Sequence, residues 1–323
     1  MSTRLRDYVP ALKWGAKIDV SEIAGMIGLP SVGKVWYVDP GKSVSGGGTS
    51  REDAVLTVAE AIALATADKD DVIVISGSNS TGRTSESTAI TWKRRVHLIG
   101  NAAPTVQDAR AGIDFATGGS LTINANGCIF KNLTFTSSAD IDETVSVTGS
   151  YNSFLGVDFK GTYNATSADS TPWRALNING GQENYFGGCT FGSDTFTRGA
   201  ANATLEIEGT ASRNVFEDCF FTMHADTAGT QLHVLLTGAS AIDRWLRFKN
   251  CTFYSFSTNN GQAVTACMDL SAQTATGHLL LEGTTSLMGG ITDWEATATG
   301  RIYMQRWTET ANVLGLPLNP TVS

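Results

Sequence analysis

Carboxylate side chains recur along this sequence, and they are the residues that could do acid–base chemistry. Five of them fall within a repeated segment: Asp158, Glu206, Glu208, Glu217 and Asp218. Two carboxylates that flank a sugar chain can cut a glycosidic bond, one as a general acid and the other as a base or nucleophile. An acid that points outward from a strand more often only solvates the surface, and we expect solvation for these five.

Other candidate chemistry is incomplete in the sequence. The densest acidic loop, Asp140-Ile-Asp-Glu143, could bind calcium but lacks the ligand count and the glycine turn of an EF-hand loop, so a solvated loop is favoured. His224 and Asp226 are near neighbours, but no serine stands at a spacing that would complete a hydrolytic triad.

The segment Gly28–Val35 resembles a phosphate-binding loop, but it has Val35 where a serine or threonine must hold the metal ion. No apolar strand leads into it, and no Cys/His spacing matches a zinc site. The sequence therefore predicts no metal and no cofactor.

The charge balance argues against nucleic acid as a partner. The chain has 323 residues with 23 Lys and Arg against 31 Asp and Glu, a net charge of -8, whereas phosphate binding needs clustered cations. Lys93-Arg94-Arg95 is read as a solvated strand edge. No apolar stretch is long enough to span a membrane and the N-terminus has no signal-peptide pattern, which predicts synthesis in the cytoplasm.

A six-residue phrase, Phe-x-[Asn/Gly/Asp]-x-x-Phe, organises the chain. It occurs at 130–135, 154–159, 186–191, 216–221 and 248–253, and Leu281 begins a degenerate copy. A short alternating strand precedes each copy, for example Leu176-Asn-Ile-Asn. Such units cannot bury their apolar side chains alone, so they must stack. The small third residue of the phrase suits a sharply bent or left-handed corner.

Stacking at about 4.8 Å would place equivalent residues of successive coils above one another. The cysteines in the repeat then serve as buried packing, and a disulfide between adjacent coils stays conceivable. The predicted core columns are Phe130, Phe135, Phe154, Phe159, Phe186, Cys189, Phe191, Phe216, Cys219, Phe221, Phe248, Cys251 and Phe253.

These repeats resemble the single-stranded right-handed parallel β-helix, the pectate-lyase-like solenoid of polysaccharide lyases, bacteriophage tailspikes and other virion proteins. The predicted fold is therefore all-β. The resemblance implies carbohydrate chemistry only where catalytic motifs are present. The polygalacturonase-like signatures are missing, because Asp70-Asp71 precedes the first coil and Gly277-His278 is followed by leucine.

Four segments are predicted. Residues 34–118 form an N-terminal cap with a helix at 50–67 and irregular first coils, 119–290 are regular coils, and 291–323 form a C-terminal cap or tail. Residues 1–33 form an arm outside the repeat, locally basic and too short for its own core, which we expect to dock on another protein. The candidate docking residues are Arg4, Arg6, Tyr8, Leu12, Trp14, Ile18, Ile23 and Ile27.

These features favour a non-enzymatic bacteriophage virion protein, most simply a capsid decoration or cement protein. It would sit on the exterior of the virion, as a homotrimer, bound through its arm to the major capsid protein or another virion protein. The alternative is a tailspike or receptor-binding protein that binds or degrades host surface polysaccharide. Sugar stacking would then fall to loop aromatics, for which packing against the next loop is the simpler expectation: Tyr151, Tyr163, Trp173 and Tyr185.

Overall fold

The computed structural model describes residues 20–29, 32–76, 82–225, 229–256, 264–305 and 316–317. Within these ranges the chain winds into stacked coils. Each coil contributes one strand to an eight-stranded sheet, sheet B, and one or two strands to an eighteen-stranded sheet, sheet A. The strands of sheet A turn a corner, so the sheet has two parts. We call the part before the corner in each coil face A1 and the part after it face A2. The parallel β-helix is thereby confirmed.

Sheet B consists of β4 (Ala89–Thr91), β7 (Ser120–Ile123), β9 (Val145–Val147), β11 (Leu176–Asn179), β15 (Ala203–Glu208), β18 (Leu232–Leu236), β21 (Val264–Asp269) and β24 (Ile291–Glu295). Face A1 consists of β1 (Val35–Val38), β2 (Asp71–Ser76), β5 (Val96–Asn101), the first halves of β8 (Ile129–Ser137) and β10 (Ser153–Thr162), then β12 (Tyr185–Gly187), β16 (Val215–Glu217), β19 (Trp245–Lys249), β22 (His278–Glu282), β25 (Ile302–Met304) and β26 (Leu316–Pro317).

Face A2 contains the second halves of β8 and β10 together with β3 (Arg83–Glu86), β6 (Gly112–Phe115), β13 (Thr190–Phe191), β14 (Thr197–Arg198), β17 (Phe220–Ala225), β20 (Thr252–Phe256) and β23 (Ser286–Gly289). Strands of successive coils pair in parallel, as in β10 with β8, and an antiparallel pair joins β25 to β26. Because β24 pairs with β21 and β25 with β22, coil stacking continues past residue 290, where the sequence predicted a cap.

The corner between A1 and A2 has the predicted left-handed backbone. The third residue of the phrase has φ between 53° and 64° in every copy: Asn132, Gly156, Gly188, Asp218, Asn250 and Gly283. This conformation is available to glycine without strain and to Asn and Asp at small cost. The phrase is therefore one corner, repeated.

The phenylalanine columns fill the interior as predicted, with each ring 0% exposed. Phe186 stacks between Phe154 and Phe216 with centroids 4.6 Å away on both sides and rings within 4° of parallel. Phe191 similarly lies 5.2 Å from Phe159 and 4.5 Å from Phe221. Each ring thus stacks on the equivalent ring of the next coil, and the columns run through the core without a break across these coils.

The cysteines are buried and unpaired, all five of them in the described ranges. The Sγ of Cys189 donates to the Phe154 carbonyl at 3.3 Å and that of Cys219 to the Phe186 carbonyl at 3.3 Å, and Cys251 repeats this contact with Phe216 at 3.4 Å. The thiols thus pack as predicted.

A second ladder was not foreseen. Asparagine stands two residues before the first phenylalanine in three coils, at Asn152, Asn184 and Asn214. The Asn152 N–H donates to Asn184 Oδ1 at 2.9 Å, and the Asn184 N–H donates to Asn214 Oδ1 at 2.8 Å. These bonds satisfy backbone donors that the turn into A1 leaves without strand partners.

In the part of the chain that the structure describes, three helices accompany the coils: α1 (Val20–Ile27), α2 (Val58–Leu64) and α3 (Ala165–Ala168). Helix α2 covers the N-terminal end of the core with Val58, Ala61 and Ile62, but it is shorter than the predicted 50–67. Thr57 and Glu60 form its capping box, whereas the Ser50 hydroxyl only accepts from the Asp53 N–H at 3.2 Å in a preceding turn. Helix α1 begins before Ser21, the residue that the sequence suggested as its cap.

Candidate functional site

The outer face of sheet B carries a register of polar side chains. Between inward residues such as Leu176 and Ile178, each strand points one or two side chains away from the core. One column runs across six neighbouring strands and is polar except at Leu235: Thr122, Ser146, Asn177, Glu206, Leu235 and Asp269. In-register pairing holds these side chains at fixed spacing along the solenoid.

Asn177 joins two acids that are far apart in sequence. Its Nδ2 donates to Glu143 Oε2 at 3.1 Å and to Glu208 Oε1 at 3.0 Å. Glu208 pairs in register with Asn179 on the same face. Glu143 precedes β9, and its backbone forms an isolated parallel β-bridge with that of Arg174. We call Glu143, Arg174, Asn177, Glu206 and Glu208 the sheet-B site.

Arg174 and Glu206 form an ion pair at the edge of this site. The Arg174 Nε donates to Glu206 Oε2 at 2.6 Å, with side-chain exposures of 8% and 14%. The Arg174 Nη1 also donates to the carbonyls of Thr171 and Trp173 at 2.9 and 2.7 Å, and the Thr237 hydroxyl donates to Glu206 Oε1 at 2.7 Å. Both oxygens of Glu206 are therefore engaged.

The site holds an excess of negative charge. Burial raises the pKa of Glu143 above its usual range, and the negative charges of Glu206 and Glu208 raise it further, against hydrogen bonds from Asn177 and Ser146 that lower it. Three carboxylates thus face one guanidinium, which is already paired with Glu206.

One buried acceptor in the site has no partner. Asn177 is 7% exposed, and its Oδ1 accepts no hydrogen bond while both of its Nδ2 hydrogens are used. A buried amide oxygen without a donor costs about 1–3 kcal/mol. The oxygen has almost no accessible surface, so it is an unsatisfied group beneath the surface of the site.

No group of three or more His, Cys, Asp and Glu side chains suited to a metal ion occurs in the described ranges. Carboxylates and an amide without such a group can bind hydroxyl or amine groups.

The other predicted acids lie elsewhere. Asp158 is buried on face A2, where its Oδ2 accepts from the Asp108 N–H at 2.8 Å, so solvation was the wrong expectation for it. Glu217 accepts from Tyr185 Oη at 3.1 Å and from Lys249 on face A1, and Asp218 forms the corner described above. Only Glu206 and Glu208 of the five enter the sheet-B site.

The acidic loop differs from expectation in part, whereas the basic triplet is solvent-exposed as expected, with Arg94 62% and Arg95 50% exposed. Glu143 leaves the loop to join the sheet-B site, while Asp140 accepts from the Ser167 hydroxyl at 2.5 Å. The basic triplet is paired, because Arg94 and Arg95 bind Asp68 and Asp70 and Lys93 donates to carbonyls at the end of α2. His224 lies on β17, and Asp226 is outside the described residues.

Two of the predicted docking residues are covered by the chain itself. Ile23 and Ile27 of α1 are 2% and 7% exposed, in a cluster with Val72, Val74 and Ile99 on the outside of face A1. They are not available to a partner, because the apolar side of α1 packs against the solenoid of the same chain. The remaining docking candidates lie outside the described residues: Arg4, Arg6, Tyr8, Leu12, Trp14 and Ile18.

The loop aromatics mostly pack, as expected. Trp173 is 1% exposed with the Arg198 guanidinium 4.5 Å from its ring, and Tyr163 lies 5.5 Å from Phe196. Tyr151, at a turn, is 60% exposed and is the one of the four that a ligand could reach freely.

Solved structures of similar architecture are pectin methylesterases. A variant in complex with a hexasaccharide superposes with a TM-score of 0.57 at 17% sequence identity, covering 86% of this chain and 90% of that one. Pectin methylesterase PemA from Erwinia chrysanthemi gives 0.56 at 16% identity over 88% and 91%. The chain shares their fold. At this identity the likeness extends to the parallel β-helix and no further.

No protein-family model matches the sequence. No curated protein matches it either. Among the described helices, none is long and apolar enough to cross a membrane.

Proposed function

We propose that this protein binds a polysaccharide along the outer face of sheet B, at the sheet-B site, and does not cleave it. The observation that carries the proposal is the set of three carboxylates, Glu143, Glu206 and Glu208, that the strands hold around Asn177 on the outer face of sheet B. A sugar chain presents a donor at every residue, and a parallel solenoid presents acceptors at a regular spacing along its axis.

The likeness in fold to proteins solved with hexasaccharides supports a sugar ligand. Binding without cleavage is supported by the carboxylates themselves. Both oxygens of Glu206 are bonded, and Glu143 and Glu208 are each bonded to the amide of Asn177. No two of these three carboxylates therefore stand free on opposite sides of a gap that could hold a sugar. Hydrolysis of a glycosidic bond needs such a pair.

A glycan array probed with the purified full chain tests this proposal. We expect binding to a restricted set of polysaccharides, weakened about tenfold or more in Glu206→Gln, because that change frees Arg174 and removes a charge from the site. The matched control is Glu217→Gln on face A1, which should bind normally. Binding to no glycan, or equal loss in both variants, would reject the proposal.

The absence of cleavage has its own measurement. Bound polysaccharide incubated with the protein should release no new reducing ends. Release that disappears in Glu143→Gln while binding persists would show that the site is catalytic.

A second candidate is a non-enzymatic structural role on the exterior of a bacteriophage virion, as a capsid decoration or cement protein. It is favoured by the anchoring of α1 through Ile23 and Ile27, which holds the helix that follows residues 1–19 on the outside of face A1. That segment would bind the major capsid protein or another virion protein, with the chain as a homotrimer. The two roles are compatible in a tailspike or receptor-binding protein.

Removal of residues 1–19 tests this role. The truncated chain keeps α1 and should fold, but it should no longer attach to particles that bind the full chain. Attachment by the truncated chain would exclude docking through this segment, and sedimentation of the full chain as a monomer would exclude the trimer.

A further inference from the structure

An irregular segment lies across the outer side of face A2. Residues 102–110 follow β5 and have no helix or strand of their own, and we call them the strap. Asp158 and Thr190 point outward from β10 and β13, yet they are only 3% and 4% exposed. The strap covers both of them. Its Asp108 N–H donates to Asp158 Oδ2 at 2.8 Å, and its Val106 carbonyl accepts from the Thr190 hydroxyl.

Polar contacts hold the strap in place. The Asp108 carboxylate binds Arg83 at 2.5 Å and Lys160 at 3.0 Å, which ties the strap to β3 and β10. Ala109 is the one fully buried side chain within the strap, and residues 103–106 are all exposed. A segment with so little buried apolar surface opens at a lower free energy than the coils beneath it.

The carboxyl beneath the strap is incompletely bonded. Asp158 Oδ1 is buried without a hydrogen-bond partner, so only Oδ2 is satisfied. Ionisation would place negative charge on a buried oxygen that no donor reaches, which costs more than burying the neutral acid. Burial accordingly raises the pKa of Asp158 to about 7.

Among the described residues, three charged side chains act on Asp158. The carboxylate of Asp108 adds to the rise in pKa, whereas the charges of Lys160 and Arg83 oppose it, as does the Asp108 N–H. The neighbouring strands β8 and β13 each present a threonine beside Asp158, and these carry no charge. The neutral acid is therefore favoured for as long as the strap is closed.

We propose that the strap is a pH-dependent cover, which lies closed on face A2 while Asp158 carries a proton and opens when that carboxyl ionises. Opening lets water reach the carboxylate, which then titrates like an exposed aspartate. Because the closed state binds the proton more tightly, its advantage is complete below about pH 4 and falls as pH rises to about 7. The inference does not depend on the polysaccharide site of sheet B.

Hydrogen exchange in the strap tests the proposal, because the Asp108 N–H is bonded to Asp158 only in the closed state. The exchange rate of residues 102–110 is divided by the intrinsic rate at pH 5 and at pH 8, which removes the chemical effect of pH. We expect protection of the strap to fall by up to about a hundredfold, while β8 and β10 beneath it stay protected. Equal protection of the strap at both pH values overturns the proposal. An equal loss in β8 and β10 also overturns it, since the coils would then open together with the strap.

Two substitutions separate ionisation from packing. Asp158→Asn keeps an acceptor for the Asp108 N–H but cannot ionise, so its strap should be equally protected at both pH values. Thr190→Val removes the hydroxyl that binds the Val106 carbonyl and should lower protection about fivefold at both pH values, because no charge is lost. Asp114→Asn is the matched control, since this carboxylate on the same face bonds elsewhere, and it should keep the natural pH dependence. A pH dependence that persists in Asp158→Asn overturns the role of Asp158.

The carboxyl can also be followed in the natural protein, which keeps the proposal testable if Asp158→Asn does not fold. The side-chain carboxyl carbon of Asp158 should titrate near pH 7 by nuclear magnetic resonance, with its midpoint where the protection of the strap falls. A midpoint near pH 4 overturns the proposal.

Discussion

Asp158 shows how much a single side chain depends on what covers it. On face A2 it lies beneath residues 106–108, where Thr190 donates to the Val106 carbonyl and Asp108 is bonded by Arg83 and Lys160. Burial raises the pKa of Asp158 to about 7, the negative charge of Asp108 adds to the rise, and the Asp108 N–H, Lys160 and Arg83 oppose it. The native protein therefore binds a proton here that the unfolded chain has lost.

This shift predicts a pH dependence of stability. A carboxyl with a raised native pKa contributes its full stability below the unfolded value of about 3.9 and loses it as pH rises to about 7. The total loss is up to about 4 kcal/mol. We expect Asp158→Asn to lose less stability between pH 5 and pH 8 than the natural protein does, measured by urea unfolding at both pH values.

The difference between the two proteins isolates this group from other titrations. Asn keeps an acceptor for the Asp108 N–H, so the two proteins should differ least at low pH and diverge as pH rises towards 7. Parallel pH profiles would show that Asp158 is ionised in the folded state at neutral pH.

The cysteines give a second prediction for single residues. Burial raises the pKa of Cys128 to about 11, and those of Cys219 and Cys267 well above their usual range, so thiolates are scarce. An Ellman titration should detect no rapidly reacting thiol in the native protein and all five in guanidinium. Reductant should leave the melting temperature unchanged, and a reductant-dependent melt would indicate a disulfide.

Single residues were predictable where the repeat determines them and unpredictable where two loops meet. The phenylalanine and cysteine columns follow from the period of the phrase. Glu206 and Glu208 were recognisable as outward acids, but Glu143 reaches them from a loop before β9, and no sequence spacing indicates that Asn177 joins them. Likewise Asp158 is buried by a segment fifty residues earlier in the chain.

The corner between A1 and A2 is the element that every coil shares, and it allows a clean test. Gly188 has φ +58°, and a Cβ placed there would meet nothing within 4 Å, so only backbone strain opposes substitution. We expect Gly188→Asn to be nearly neutral and Gly188→Val to cost about 1–2 kcal/mol, measured by chemical denaturation.

The contrast between these two variants is the informative quantity. Asn occupies the same corner at positions 132 and 250, whereas no copy of the phrase has a β-branched residue there. Equal costs for Asn and Val would mean that the corner relaxes out of the left-handed region.

The helices show where local sequence patterns mislead. Ser50 and Asp53 imitate a capping box, but Thr57-Val-Ala-Glu60 is a complete one just downstream, and its helix packs onto the end of the core. The apolar residues of α1 indicated a contact surface correctly, yet its partner is face A1 of the same chain. A pattern can show that a side is buried without showing against what.

At the scale of the whole molecule, stability is carried from coil to coil. In the described ranges each coil pairs its strands with those of its neighbours, and the contact of Thr190 with Val106 is a local exception, so the energetics are approximately one-dimensional. A defect inside the stack should weaken its own coil and the two beside it more than the ends.

Phe191→Ala tests this coupling. The ring lies between those of Phe159 and Phe221 and is 0% exposed, so its loss should cost about 3–5 kcal/mol. Hydrogen exchange by mass spectrometry should show the largest loss of protection in β10, β13 and β17, and much less in β2 and β5 near the N-terminal cap.

Phe196→Ala is the matched control, because this ring lies in the loop after β13 against Tyr163 rather than in a column. The same chemical change there removes no ring from the stack, and we expect it to cost under about 1 kcal/mol and to leave exchange in the coils unaltered. If Phe191→Ala instead speeds exchange equally from β2 to β22, the solenoid unfolds as a single cooperative unit. The columns would then couple the ends as strongly as they couple neighbours, and a ligand bound on sheet B would stabilise the whole stack and not only the coils it touches.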